Sequence, residues 1–116
     1  TALTPNAGWP ANDGFFGNPT RTVLPPGTLI DRYGSDWGRF TSPHGTPHPM
    51  RALRPGTEDA SYSVFRVVEP LEVDSGMIAP AFGQPGLGTQ HLLPRRVNEL
   101  LDNDILEEVF RSTSDG

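Results

Sequence analysis

Three groups of residues in this sequence could do chemistry. The first is residues 82–90, FGQPGLGTQ, which hold three glycines, two glutamines and a proline but no acid, no histidine and no strong nucleophile. The letters G-x-x-G-x-G lack the lysine of a phosphate-binding P-loop. The residues after them read as a strand, where a dinucleotide fingerprint needs a helix. Glycines here either serve a turn that needs positive φ, or let the backbone come close to a flat ligand. The second group is Arg32-Tyr33, at the end of a short strand, with Arg51 downstream. Two guanidinium forks and an aromatic ring suit a ligand with a pyrophosphate and flat rings. Equally, Arg32 pairs locally with Asp31 or Asp36. The third group is His44 and His48. On a helix that spacing makes a zinc pair, but the prolines and glycine of PHGTPHP forbid the helix. A polar loop is expected there and no metal site. The carboxylates offer no acid pair: Glu107 and Glu108 are adjacent on a strand and face opposite sides, and Glu69 and Glu72 flank Pro70 as solvated groups.

The elements that must position these residues are short. Residues 1–26, rich in Gly, Pro and Asn, read as an irregular arm that packs through Trp9, Phe15 and Phe16. GTLIDRYG (27–34) is a short strand after a Pro-Pro-Gly turn. Residues 35–53 read as strand fragments broken by Pro43, Pro47 and Pro49. SYSVFRVVEPLEV (61–73) carries the clearest strand signal, with Pro70 as a bend or edge marker. SGMIAPAF (75–82) and TQHLL (89–93) are further strands. Pro94 then suits the first turn of a helix. In this helix Val97, Leu100 and Leu101 share one face, and Asn103 stops it. DILEEVF (104–110) is a last strand, and residues 111–116 read as a frayed tail, like residues 1–7 at the other end. The expected class is α+β: a small, mostly antiparallel β core with one or two short helices.

The chain of 116 residues fits one domain with a modest core. Gly and Pro number 13 each without a repeat period, which excludes collagen and coiled coil. A net charge of −5 argues against nucleic acid as partner. All nine basic residues are Arg, which reflects either coding bias or a use of the fork that Lys cannot supply. The absence of Cys removes disulfides, thiolate catalysis and Cys-ligated metals. No apolar run reaches membrane-spanning length and no signal peptide is visible. A chain that starts at Thr1 reads as an excised domain, with targeting information expected upstream.

Taken in order, PPGTLIDRYGSDWGRFTSPHGTP, YSVFRVVEPLEV, GMIAPAFGQPGLGTQHLLP and LLDNDILEEV resemble the TNT domain family, named after the tuberculosis necrotizing toxin. The resemblance spans about residues 8–110. It implies a compact relative of the ADP-ribosyltransferase fold and an NAD(P) glycohydrolase that releases nicotinamide and ADP-ribose, with NAD or NADP as substrate and no cofactor. It also implies a toxin module, secreted or delivered within a larger protein, with a possible cognate immunity protein as partner. By position, the resemblance assigns Arg32, Tyr33 and Arg51 to the site and Gln90 as the functional glutamine, with Gln84 as alternative. Phe82 would line the nicotinamide side, and Gly83, Gly86 and Gly88 would let the chain pass close to the ligand. Ser63 stands where some relatives have a His. The rival expectations are a protein ADP-ribosyltransferase, for which no suitably spaced E-x-E or Q-x-E is present, and a non-catalytic binding domain.

Overall fold

The structure, a computed structural model, describes residues 12–53 and 60–112. Seven strands form one antiparallel sheet: β1 (Thr20–Leu24), β2 (Leu29–Tyr33), β3 (Phe40–Pro43), β4 (Tyr62–Val67), β5 (Leu71–Met77), β6 (Thr89–Leu92) and β7 (Leu106–Ser112). Their spatial order is β1-β5-β6-β3-β2-β4-β7. One helix, α1 (Val97–Asp102), and two 3₁₀ turns, Asn12–Gly14 and His48–Arg51, complete it. The expected α+β class, a mostly antiparallel core with short helical pieces, is what forms.

The core lies on one face of the sheet. Ile30, Phe65, Val67, Leu71 and Val73 pack there with Leu93, Leu106 and, from α1, Val97 and Leu100. β4 sits between β2 and β7 with a bulge between Val64 and Phe65, and Val64, Phe65 and Val67 are all buried. A strand covered on both faces reads as a continuous apolar run, which is why its sequence signal is the clearest.

Several boundaries differ from expectation. Residues 61–73 are two strands. Pro70 cannot donate to a ladder; β4 ends before it, and β5 pairs with β1 and β6 elsewhere in the sheet. The expected strand over 75–82 survives only to Met77. Ile78 then makes an isolated bridge with Phe15, and the chain turns at Phe82 and Gly83, both with positive φ. The arm contains β1, an edge strand in which only Leu24 is buried. With one buried residue it has no apolar alternation to betray it; Arg21 instead pairs across to Asp74 and Glu72. Phe15 packs into the interior as expected, but Phe16 is exposed, and Trp9 lies outside the described residues. The helix starts at Val97, later than Pro94. Gly38 and Asp36 carbonyls receive the amides of Val97 and Asn98 at 3.0 and 2.9 Å and set its first turn. At the other end Arg111 and Ser112 are part of β7. Arg111 donates to both oxygens of Asp36, at 3.0 and 2.8 Å, which holds the strand where a frayed tail was expected.

His91 on β6 is buried on the core side, where its Nδ1 and Ser75 Oγ share a hydrogen bond of 3.0 Å. Burial lowers its pKa from the ordinary imidazole value. The folded chain therefore binds fewer protons here than the unfolded one once pH falls below about 6.5. Stability is complete above that value and declines as pH falls through it toward the folded pKa. Melting curves between pH 7.5 and 5.5 are expected to show a larger loss for wild type than for His91→Gln; equal slopes would remove His91 as the source.

Candidate active site

The site forms where the sheet opens. The β2–β3 ladder registers only Ile30 with Pro43 and Asp31 with Ser42. Beyond that pair Arg32–Tyr33 and Phe40–Thr41 diverge, and a cleft with about 310 Å³ of free space, open to solvent, lies between them. Its walls are Asp31, Arg32 and Tyr33 from β2, Phe40, Thr41 and Ser42 from β3, and Gln90 from β6, with Arg51, Leu53 and Ile78 from the connections.

Asp31 and Arg51 anchor one wall. Both are almost fully buried, and Nη1 of Arg51 stands 2.7 Å from Oδ1 of Asp31. Oδ2 accepts from Arg51 Nη2 at 2.9 Å, from the Tyr62 hydroxyl at 2.6 Å and from the Gly45 amide at 3.1 Å. Oδ1 accepts no aligned hydrogen bond and is held by charge. Arg51 also donates through Nε and Nη2 to the Thr46 carbonyl, at 3.0 and 2.7 Å, and its guanidinium lies 4.9 Å from the Tyr33 ring centre. Tyr33 is flanked by Tyr62 and, edge-on, by His48. Burial, reinforced by the bond to Asp31, raises the Tyr62 pKa and keeps the phenol a donor.

Arg32 does a different job. Nη1 donates to the Phe40 carbonyl at 3.0 Å and Nε to the Ser35 carbonyl at 2.6 Å. The side chain thus bridges the two strands where their ladder has stopped. Burial lowers its pKa, with Asp36 acting in the opposite direction. Neither local pairing considered for Arg32 forms as a hydrogen-bonded ion pair: Asp31 is bound by Arg51, and Asp36 by Arg111.

Gln90 stands buried in the cleft and donates from Nε2 to the Asp13 carbonyl at 3.0 Å. The turn that offers this carbonyl is tied to the end of β5 by Phe16 N to Met77 O and Ala79 N to Gly14 O, each 2.8 Å. Gln84 is not a lining residue; its Nε2 donates to the Leu53 carbonyl at 2.8 Å and steadies a wall. Phe82 and Gly83 form a turn with positive φ and are not among the residues that line this cleft. Gly86 and Gly88 pack on protein backbone, while a Cβ placed on Gly83 would meet nothing within 4 Å. The Gly86 amide donates to Pro49 O at 3.2 Å and the Gly88 amide to Met50 O at 3.0 Å. A Cβ on Gly88 would stand 2.9 Å from Met50 O, and one on Gly86 would stand 2.8 Å from Ala79 O. The loop is a clamp on the turn that carries Arg51. Ser63, opposite Arg32 in the β2–β4 register, is buried with an unpartnered hydroxyl. It neighbours Asp31's strand but not the cleft. Among the described residues no group of three or more His, Asp or Glu gathers as a metal site.

A small antiparallel sheet split over an amide-bearing cleft defines the class. Over residues 23–109 the chain matches the family described as tuberculosis necrotizing toxin, and it belongs to that family. The conidial surface nicotinamide adenine dinucleotide glycohydrolase nadA of Aspergillus fumigatus is 37% identical over 108 residues, covering 87% of this chain and 45% of that protein. The chain therefore spans under half the length of this relative. The tuberculosis necrotizing toxin, solved with its immunity factor IFT, superposes with a TM-score of 0.71 at 25% identity, over 85% of this chain and 60% of that one. Tne2, solved with Tni2, shares the fold at TM-score 0.60 and 14% identity, over 85% of this chain and 95% of that one. No helix among the described residues is long and apolar enough to cross a membrane.

The buried pair yields a stability prediction. Asp31→Asn leaves a buried guanidinium without its counter-charge, and removing one partner of such a pair costs about 3–5 kcal/mol. Urea unfolding should show a loss of that order, whereas Arg21→Ala at the exposed edge should leave the midpoint unchanged.

Proposed function

We propose that this chain is an NAD(P) glycohydrolase module that splits the nicotinamide N-glycosidic bond, and that Gln90 is its functional glutamine. The observation that carries the reading is the chemistry of the cleft. Its one lining carboxylate, Asp31, is matched by Arg51, so the amide of Gln90 is the polar group best suited to act. Kinship with the fungal glycohydrolase and the toxin supports the substrate class.

That chemistry suffices for this bond. The nicotinamide ring of NAD is a cation and leaves neutral, so the leaving group needs no proton. The ribose becomes oxocarbenium-like and water can trap it without a strong base. The protein must hold the two halves, limit bulk water and place one water molecule. An amide can accept from water or a ribose hydroxyl through Oε1 while Nε2 stays anchored. The Asp13 carbonyl provides that anchor. Tyr33 and Phe40 offer ring surfaces. Arg51, engaged by Asp31, acts as a wall and weak electrostatic partner, and Arg32 keeps the cleft open; a direct pyrophosphate bond from either is not part of this reading. On the same reading the fold is a compact relative of the ADP-ribosyltransferases, the module works outside the cell that makes it, and a cognate immunity protein covers it in that cell.

Gln90→Ala should abolish nicotinamide release with its melting temperature nearly unchanged, while Gln84→Ala should lower stability more than turnover. Near-wild-type release by Gln90→Ala would defeat the assignment. Labelled ADP-ribose found on protein, in place of free ADP-ribose, would make the chain a transferase. Because the assigned group is an uncharged amide, the rate should change little between pH 6 and 8 and survive chelator. A bell-shaped profile centred in that window would point to a histidine instead.

A further inference from the structure

Most arginines among the described residues are engaged within the protein. Arg21 and Arg66 pair with acids across strands, Arg111 is clamped on Asp36 and Glu108, and Arg39 donates to the Leu93 carbonyl at 2.9 Å. Arg32 and Arg51 serve the cleft. Two others stand at the surface together. Arg95 is 67% exposed and forms a loose surface ion pair with Glu99 at 3.7 Å, of a kind worth little in water. Arg96 lies over the Trp37 ring, 5.3 Å from its centre. Trp37 is 65% exposed, more than any other large apolar side chain among the described residues.

These side chains sit at the end of the sheet where β2 and β3 separate. The connection 34–39 spans that end and is fixed from several directions. Arg32 holds the Ser35 carbonyl, Val97 and Asn98 hold those of Gly38 and Asp36, and Arg111 holds the Asp36 carboxylate. Phe40, the next residue after this connection, lines the cleft. The segment is firmly held while its indole faces solvent, so a ligand stacking there would meet a pre-organised ring.

We propose that Trp37, Arg95 and Arg96 form a subsite for an adenosine phosphate. The purine stacks on the indole face opposite Arg96, and the two guanidinium groups take the phosphate in charge-assisted bonds. This rests on the dinucleotide reading of the cleft. The cleft is open to solvent, so the adenosine end of a dinucleotide held there can lie outside it. In a chain of net charge −5 a local cationic patch also offsets repulsion of an anionic ligand.

The test is calorimetric titration of 5′-AMP into wild type, Trp37→Ala, Trp37→Phe and the Arg95→Ala/Arg96→Ala double variant, with steady-state nicotinamide release from NAD measured on each. Loss of one base stack should weaken AMP and raise KM roughly tenfold in Trp37→Ala, with kcat within about twofold because the patch lies away from the scissile bond. Trp37→Phe should recover most of both, and the double variant should lose AMP affinity but keep that for adenosine. Equal AMP affinity in wild type and Trp37→Ala, or none in wild type, overturns the subsite. AMP bound through Trp37 by a chain that releases no nicotinamide leaves the subsite standing and removes the glycohydrolase reading. Release with an unchanged KM in Trp37→Ala does the reverse.

Discussion

The buried ion pair between Asp31 and Arg51 is the constraint around which the rest is arranged. Two desolvated charges are tolerated only if each is matched and its remaining hydrogen-bonding capacity is met. Asp31 therefore draws the Tyr62 hydroxyl and the Gly45 amide as well as the guanidinium, and Arg51 draws the Thr46 carbonyl. With Asp31 on β2, those partners come from β4, from the second 3₁₀ turn and from the chain between β3 and that turn. One carboxylate thus fixes an irregular, proline-broken segment against a regular sheet. It also leaves one cleft wall electrically neutral. A lone arginine there would grip any anion, and a lone aspartate would repel a phosphate-bearing ligand.

The split between β2 and β3 is the second constraint. A sheet that stops pairing exposes backbone groups that need partners. Arg32 supplies one by reaching across to the Phe40 carbonyl, and its bond to Ser35 fixes the connection between the strands. A glutamine on the neighbouring β6 then faces the opening. The glycine loop acts from the other side, with Gly86 and Gly88 pressed on the backbone of Pro49 and Met50. Its chemical mildness follows from that use: the loop supplies fit to a neighbouring turn, and Gln90 at its end places an amide in the cleft.

Much of this was legible in the sequence where the signal is local. β2, β6 and the face of α1 follow from turn residues and apolar spacing, and the run Val64–Val67 marks the centre of the sheet. Gln90, Tyr33, Arg32 and Arg51 all reach the cleft. What the sequence hides is partnership. Asp31 and Arg51 are 20 residues apart, so the aspartate reads as a neighbour of Arg32 and its true partner is invisible. Phe82 reads as a ring-stacking residue; the chain turns there with a positive φ of 54°, outside the lining of this cleft, and no local signal records that turn. β1 escapes notice because its one buried residue makes no pattern. Phe40 and Ile78 become wall residues only because the ladder opens between particular strands, and no local signal records that.

The backbone shows how closely the segments around the cleft are specified. Among the described residues six non-glycines have positive φ: Asn12, Asp13, Ala52, Phe82, Leu87 and Asp104. All but Asp104 lie on the two segments that clamp the cleft or on the turn that anchors Gln90. For an L-residue this conformation costs on the order of 1 kcal/mol, so such a concentration persists only where surrounding contacts over-determine it. Here they do. Ala52 follows directly on Arg51, whose guanidinium is held on Asp31. Leu87 lies between the two amides that grip Pro49 and Met50. Asp13 presents the carbonyl that Gln90 holds. Ala52, Leu87 and Asp13 are thus each part of, or adjacent to, a group that lines or clamps the cleft, so relaxing their strain would move a wall. The cleft is therefore the part of the fold where backbone comfort yields to placement, and the buried ion pair is what makes that arrangement stable.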